Sequence, residues 1–306
     1  MGEIMISETK KSNIKPVRKA VIPAAGYGTR FLPATKAIPK EMLPIVDTPS
    51  LQYVVKEAVE SGITDILIIT TRGKEAIENH FDKSFELETN LKNAGKDDYL
   101  KLCQDISSMA NIEYVRQKEM KGSGWAVHYA KNFVGDEPFV VLFGDDVIYT
   151  TKEQQPVSKQ LIDAYNVTGT SILGVQTIEG EEIRKYGVVV PDGKTEGRFT
   201  KLKSLIEKPQ GEIPSHLTSL GRFLLTPDIF EILERTPPAP NGEVYLTDAI
   251  GTQAKESGVY AYEFAGRRYD IGDKQGFLEA CVEYALRDER LAGGFKAYLK
   301  DITKNL

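Results

Sequence analysis

Cysteine and histidine are scarce in this chain. The two cysteines, Cys103 and Cys281, exclude a disulfide scaffold and a four-cysteine zinc site. The three histidines, His80, His128 and His216, stand far apart, without metal-ligand spacing. No apolar run approaches the ~20 residues of a membrane span, so no membrane partner is expected. The opening segment MGEIMISETKKSNIK lacks the apolar centre of a signal peptide, and the expected setting is cytoplasmic. Basic runs are missing too: 39 Lys and Arg against 44 Asp and Glu leave a formal net charge of −5. That balance speaks against a partner that is a nucleic acid polymer, because phosphate neutralisation supplies most of such affinity. An anionic substrate must then be met by a few placed cations, not by the field of the whole molecule.

What is present is a chain of 306 residues, long enough to bury a sizeable core. Its pattern is strand, then helix, repeated. Apolar runs at Val17–Ala24, Asp65–Thr70, Ile112–Arg116 and Pro138–Phe143 read as buried strands. Helical spacing marks Leu51–Ser61, with Gly62 as its stop, then Gly73–Phe81 and Gly124–Lys131. Such alternation implies a doubly wound, mostly parallel sheet covered on both faces. Residues 84–108 are polar and read as a surface insertion. Beyond residue 150 the pattern changes. Gln160–Asn166 reads as helix and Ser171–Gln176 as strand, and Gly187–Val190 and Phe199–Ile206 read as antiparallel strands. Leu220–Leu225 is a further strand. Helices are expected over Asp228–Glu234, Leu246–Ser257 and Lys274–Lys300, the last broken near Gly293.

The segment after the first strand, PAAGYGTRFLPATKAIPKEMLP from Pro23 to Pro44, carries the chemistry. Ala24, Ala25, Gly26 and Gly28 leave backbone open to close approach, so successive N–H groups can face phosphate oxygens. Arg30 and Lys40 add charge, and Pro33, Pro39 and Pro44 stiffen the loop. It is no P-loop, lacking G-x-x-x-x-G-K-[ST]. It is no dinucleotide fingerprint either, since Phe31 stands in the third-glycine slot and Pro33 follows. A nicotinamide-dependent dehydrogenase is therefore set aside.

The loop, together with YVRQKEMKGSG (Tyr114–Gly124), VLFGDD (Val141–Asp146), KYGVV (Lys185–Val189), LIEKP (Leu205–Pro209), LGRFLLTPDIF (Leu220–Phe230) and RYDIGDKQGF (Arg268–Phe277), resembles the sugar-phosphate nucleotidyltransferases. Among them it is most similar to the prokaryotic UTP–glucose-1-phosphate uridylyltransferase family. The resemblance runs from about residue 17 to 290. It implies a Rossmann-like mixed sheet with a smaller antiparallel sugar-binding part and C-terminal helices. The implied reaction converts UTP and glucose 1-phosphate to UDP-glucose and pyrophosphate with Mg²⁺. The implied layout is a polar extension over residues 1–16 and a transferase domain over 17–290. Within that domain the nucleotide half runs to about 150 and the sugar half from 151 to 272; residues 273–306 form a helical end. A homodimer or homotetramer is implied as well.

By that resemblance Arg30, Lys40 and Lys208 are catalytic. Ala24, Ala25, Gly26, Gly28, Glu41, Gln117 and Gly122 bind the nucleotide. Gly187, Glu207, Lys208 and Arg222 meet the sugar phosphate, and Asp145 and Asp270 hold the metal. Each has a chemical reason. The attacking phosphate is already a nucleophile, so no activated Ser, Cys or His is needed; the obstacle is charge, met by positioning and neutralisation. Carboxylates beside phosphates require a hard cation between them. A primary amide at Gln117 can pair with a pyrimidine edge. Glu207 and Lys208 precede Pro209, a position that favours extended backbone and diverging side chains. Asp273 reads as a helix cap. Where the family usually carries Gly-Leu-Gly-His or Gly-Leu-Gly-Asp, this chain has Gly-Ser-Gly-Trp, with Ser123 and Trp125. Two alternatives stay open: the same chemistry with dTTP or ATP, and a non-catalytic nucleotide-sugar-binding homologue.

Overall fold

The computed structural model describes residues 14–305. Most of the polar extension assigned to residues 1–16 therefore lies outside the described residues. The strands are β1 (Lys19–Pro23), β2 (Pro44–Ile45), β3 (Thr48–Pro49), β4 (Asp65–Thr70), β5 (Asn111–Arg116), β6 (Phe139–Leu142) and β7 (Asp146–Tyr149). They continue as β8 (Ser171–Thr177), β9 (Gly187–Pro191), β10 (Phe199–Glu207), β11 (Leu217–Leu225), β12 (Val259–Glu263) and β13 (Arg267–Asp270). The helices are α1 (Ser50–Glu60), α2 (Glu75–Phe81), α3 (Phe85–Asn93), α4 (Asp97–Ser107), α5 (Ser123–His128) and α6 (Lys131–Val134). They continue as α7 (Val157–Thr168), α8 (Ile229–Arg235), α9 (Leu246–Glu256), α10 (Lys274–Arg287) and α11 (Ala292–Ile302). No helix among the described residues is long and apolar enough to cross a membrane.

One large sheet runs in the order β5-β4-β1-β6-β11-β8-β12-β10-β9. Its first four strands are parallel, as the apolar runs imply. Alternate residues of these strands feed two cores. Ala20, Ile22, Ile66, Ile68, Val140 and Leu142 face one side. Val21, Leu67, Ile69, Phe139 and Val141 face the other. A strand buried on both faces shows no polar alternation, which is why these runs read as continuous apolar stretches.

Beyond β6 the sheet is mixed. Only β8 and β12 are parallel neighbours there; β9, β10 and β11 run antiparallel to their partners. The parallel character is thus confined to part of the sheet, and the antiparallel part is not a separate layer. A short connection without a helix joins β9 to β10, and a short connection forces the reversal seen between them. β11 bends at Gly221 (φ 64°), where its register on β8 shifts. Its first half can therefore pair with β9 and its second half with β6.

Other differences are local. The insertion at 84–108 is two helices, α3 and α4. The C-terminal helix breaks at Asp288–Leu291, close to Gly293 as expected, though Gly293 itself lies within α11. At that break the Asp288 carboxylate accepts from the Arg290 N–H at 2.8 Å, and Arg290 reaches Asp47 at 2.8 Å. A side chain that captures the next amides competes with helix continuation.

Candidate active site

All four parallel strands end on the same rim, and the polar side chains singled out in the sequence lie beyond their carboxyl ends, where such sheets present ligands. A cleft of about 1100 Å³ opens there, reaching from Arg30 and Gly122 to Glu207, Lys208 and Asp270.

The loop after β1 folds over Lys40. Gly28 takes a left-handed backbone (φ 66°), and a Cβ there would meet Lys40 Cβ at 3.0 Å. Glycine is required on both counts. The Lys40 ammonium donates to Asp145 Oδ2 at 2.5 Å. Burial alone would lower the Lys40 pKa, but the Asp145 and Glu41 carboxylates together hold it above the ordinary lysine value. Burial alone would raise Asp145, yet Lys40 and then Arg30 hold it below the ordinary carboxylate value. The two ions therefore remain charged.

The carboxylates meet through a short ladder that the apolar pattern does not show. β7 and β13 pair antiparallel with Asp146 opposite Asp270. The Ile271 N–H also donates to the Asp145 carbonyl at 3.0 Å. A Cβ built at Gly272 would meet Asp145 Oδ2 at 3.0 Å, Arg30 Nη2 at 3.1 Å and Asp270 Oδ1 at 3.1 Å. Two carboxylates and a guanidinium thus converge on one point. Among the described residues no cluster of three or more His, Cys, Asp or Glu could hold a metal by itself. Two converging carboxylates suit a hard divalent cation that completes its shell with water and phosphate oxygens.

Asp146 does not share this role. It is buried, its Oδ1 accepts from Arg268 Nε at 2.5 Å, and burial pushes its pKa up. Gly221 makes room for it, since a Cβ there would lie 2.1 Å from Asp146 Oδ2. Arg268 also donates to the Tyr186 hydroxyl at 3.1 Å, and that hydroxyl donates to Asp270 Oδ2 at 3.1 Å. Neither Tyr186 nor Arg268 was a candidate from the sequence. Tyr186 stands beside Gly187, so one phenol links Asp270 to the side of the cleft that holds Gly187.

On that side Gly187 pairs with Glu207 across β9 and β10. A Cβ at 187 would meet Thr247 Cγ2 at 3.1 Å. Glu207 and Lys208 both line the cleft, their charged atoms 3.5 Å apart. The expected extended geometry before Pro209 is not adopted: Lys208 has φ 45°. Its N–H donates to the Tyr186 carbonyl at 3.1 Å, which ties the turn to β9. A non-glycine residue held there costs of order 1–3 kcal/mol, and such strain collects at ligand-binding turns.

Among the expected site residues, Arg222 and Glu41 are locked in buried ion pairs and line no part of the cleft. Arg222 is fully buried, with Nη2 on Glu57 at 2.8 Å and on the Asp146 carbonyl at 2.8 Å. It supports the turn behind the carboxylates and does not meet a sugar phosphate. Glu41 is 1% exposed and pairs with Lys74 at 2.7 Å. It lies under the loop, where burial raises its pKa.

Gln117 follows β5 and is buried, its side-chain amide donating to the Glu119 carbonyl at 2.9 Å. Gly122 has a reason besides ligand approach: a Cβ there would lie 2.8 Å from the Val244 carbonyl. Ser123 Oγ accepts from the Leu246 N–H at 3.1 Å, capping α9 from another segment. Asp273 caps α10 through the Gln275 N–H at 2.9 Å, as read from the sequence.

The nucleotidyl transferase family matches residues 19–286, and the chain belongs to that family. Among curated relatives, the UTP–glucose-1-phosphate uridylyltransferase of Staphylococcus epidermidis is 49% identical over 290 residues, 94% of this chain and 99% of the relative. A UDP-glucose pyrophosphorylase solved with UDP-glucose superposes with a TM-score of 0.81 at 43% identity, covering 89% of this chain and all of that one. A UTP-bound UGPase of Acinetobacter baumannii gives a TM-score of 0.85 at 38% identity, covering 93% of this chain and 99% of its own.

Proposed function

We propose that this protein transfers the uridylyl group of UTP to glucose 1-phosphate, giving UDP-glucose and pyrophosphate. The observation that carries the reading is the single point faced by Asp145, Asp270 and Arg30, set between the glycine loop and Lys208. Relatives at about half identity carry that activity in their names, and related structures hold UTP and UDP-glucose.

In the reaction a phosphate oxygen of glucose 1-phosphate bonds to the α-phosphorus, and the bond from that phosphorus to the bridging oxygen of pyrophosphate breaks. The amides of Ala25, Gly26 and Gly28 take the nucleotide beside the small Ala24, with Gln117 and Gly122 at the base. Glu207 and the Gly187 backbone orient the sugar. Lys208, whose ammonium is exposed, neutralises the incoming phosphate. Lys40 and Arg30 meet the charge that gathers on the leaving pyrophosphate. Asp145 and Asp270 would hold Mg²⁺. Bound there, the ion supplies Lewis-acid polarisation of the α-phosphate. In this reading residues 17–150 serve the nucleotide and 151–272 the sugar. The activity is placed in the cytoplasm, where UTP is made and used, and in a homodimer or homotetramer.

Pyrophosphate release is the direct test, with UTP, dTTP and ATP each offered a panel of sugar 1-phosphates. UTP with glucose 1-phosphate is expected to be fastest, and EDTA to stop it. A preference for dTTP or ATP, or turnover that survives chelation, overturns the assignment. The convergence point has its own test. Gly272→Ala places a methyl between Asp145, Arg30 and Asp270, and turnover should fall about a hundred-fold, the scale of a 1 Å misplacement. Unchanged turnover in a folded variant contradicts that geometry.

A further inference from the structure

Lys74 ends the TRGK turn after β4, outside every motif used above. It is 5% exposed. Its ammonium donates to the Ala24 carbonyl and to Glu41 Oε2, the latter at 2.7 Å. Burying an ammonium costs several kcal/mol, and a well-packed apolar pair would stabilise the fold as well. A charge kept at this place asks for a local reason.

We propose that Lys74 is a positioning residue for the nucleotide: by pinning the Ala24 carbonyl it aims the N–H of Ala25 into the cleft. The proposal rests on the functional reading above and deepens it. The Ala24–Ala25 peptide is trans, since the one cis bond among the described residues is Leu32–Pro33. In a trans planar peptide the carbonyl and the following N–H point in opposite directions. With the oxygen held by Lys74 behind the loop, the Ala25 N–H must face away from Lys74. The preceding amide is fixed as well, because the Ala24 N–H donates to the Ile69 carbonyl at 2.8 Å. The N–H groups of Ala25, Gly26 and Gly28 meet no acceptor among the described residues. Donors left free in this way can hold phosphate or a base edge.

Glu41 gives the pin its second anchor. It follows Lys40 directly, so Lys74, Glu41, Lys40 and Asp145 alternate in sign from the back of the loop to the metal-side carboxylate. Without Lys74, Glu41 would be a buried unpaired charge next to Lys40.

The test compares Lys74→Met, Glu41→Gln and the Lys74→Met/Glu41→Gln pair, reading the UTP dissociation constant by calorimetry, KM for glucose 1-phosphate, and Tm. Lys74→Met should weaken UTP at least tenfold and leave KM for glucose 1-phosphate within twofold. Glu41→Gln keeps the bond to Ala24 and should hold UTP within threefold. The paired variant removes the stranded charge and should recover Tm without recovering UTP. If UTP affinity returns with Tm, or if both substrates weaken equally, Lys74 is structural and the proposal falls. A wild-type chain that binds no UTP overturns the functional reading, and this proposal with it. Tight UTP in wild type and Lys74→Met alike overturns the positioning role alone.

Discussion

Lys40→Ala is expected to lower kcat/KM on the order of a thousand-fold. The Lys40 ammonium lies 2.5 Å from Asp145 Oδ2 and within 4.0 Å of a Cβ built at Gly26, so it joins the glycine loop to Asp145. Removing one hydrogen-bonding group from a developing anion costs about 3–4 kcal/mol, which is two to three decades in rate. Lys40 does more than that, because Asp145 loses its counter-ion at the same time. Arginine is a poor substitute: a planar fork cannot take the place of a compact point charge in a loop so close that a Cβ at Gly28 would lie 3.0 Å from Lys40 Cβ. Steady-state kinetics with matched Tm measurements check this. A loss below tenfold in a folded variant removes Lys40 from the reaction.

The second large effect is on stability. Arg222→Met should destabilise the fold by about 3–5 kcal/mol, the usual result of stranding one half of a buried ion pair. Its guanidinium grips both oxygens of Glu57, with Nε at 3.0 and 3.1 Å and Nη2 at 2.8 Å. It also donates to the carbonyls of Gly221 and Asp146. Glu57 in turn accepts from the Ser158 N–H and hydroxyl. One arginine therefore ties α1, β11, the start of α7 and the turn before β7. Tm should drop by roughly 10 °C. The paired Arg222→Met/Glu57→Leu should regain much of it, since apolar replacement of a buried pair is often neutral. If the single variant melts within 2 °C of wild type, the network carries little of the fold.

Arg222 shows where sequence reasoning runs out. A charged residue in a glycine-flanked motif reads as a ligand, because nothing local announces Glu57, which lies 165 residues away. The strands β1, β4, β5 and β6 were legible for the opposite reason: both faces are buried, so their composition alone marks them. The ladder of β7 and β13 was not. It contains Asp146, Arg267, Arg268 and Asp270, polar residues without period-2 alternation, and it is formed only when segments more than a hundred residues apart meet. That ladder is what brings Asp145 and Asp270 together. The resemblance named both residues, but only the fold supplies the geometry. Lys74 escaped for a similar reason, as its partners Ala24 and Glu41 are 50 and 33 residues distant. The C-terminal break falls near Gly293 as expected, but the glycine, the stronger punctuation by propensity, does not make it. A carboxylate that captures the amide two residues on outweighed it.

The contact between residues 121–124 and 243–246 bears on how the molecule can breathe. Gly124 N–H reaches the Val244 carbonyl at 2.9 Å, Val244 N–H returns to the Lys121 carbonyl at 2.8 Å, and Ser123 closes the seam from the side. Stitched along this edge, the two segments cannot part there like a clam. Any opening that admits reactants falls elsewhere along the cleft, whose rim also carries the exposed guanidinium of Arg30 and the strained turn at Lys208.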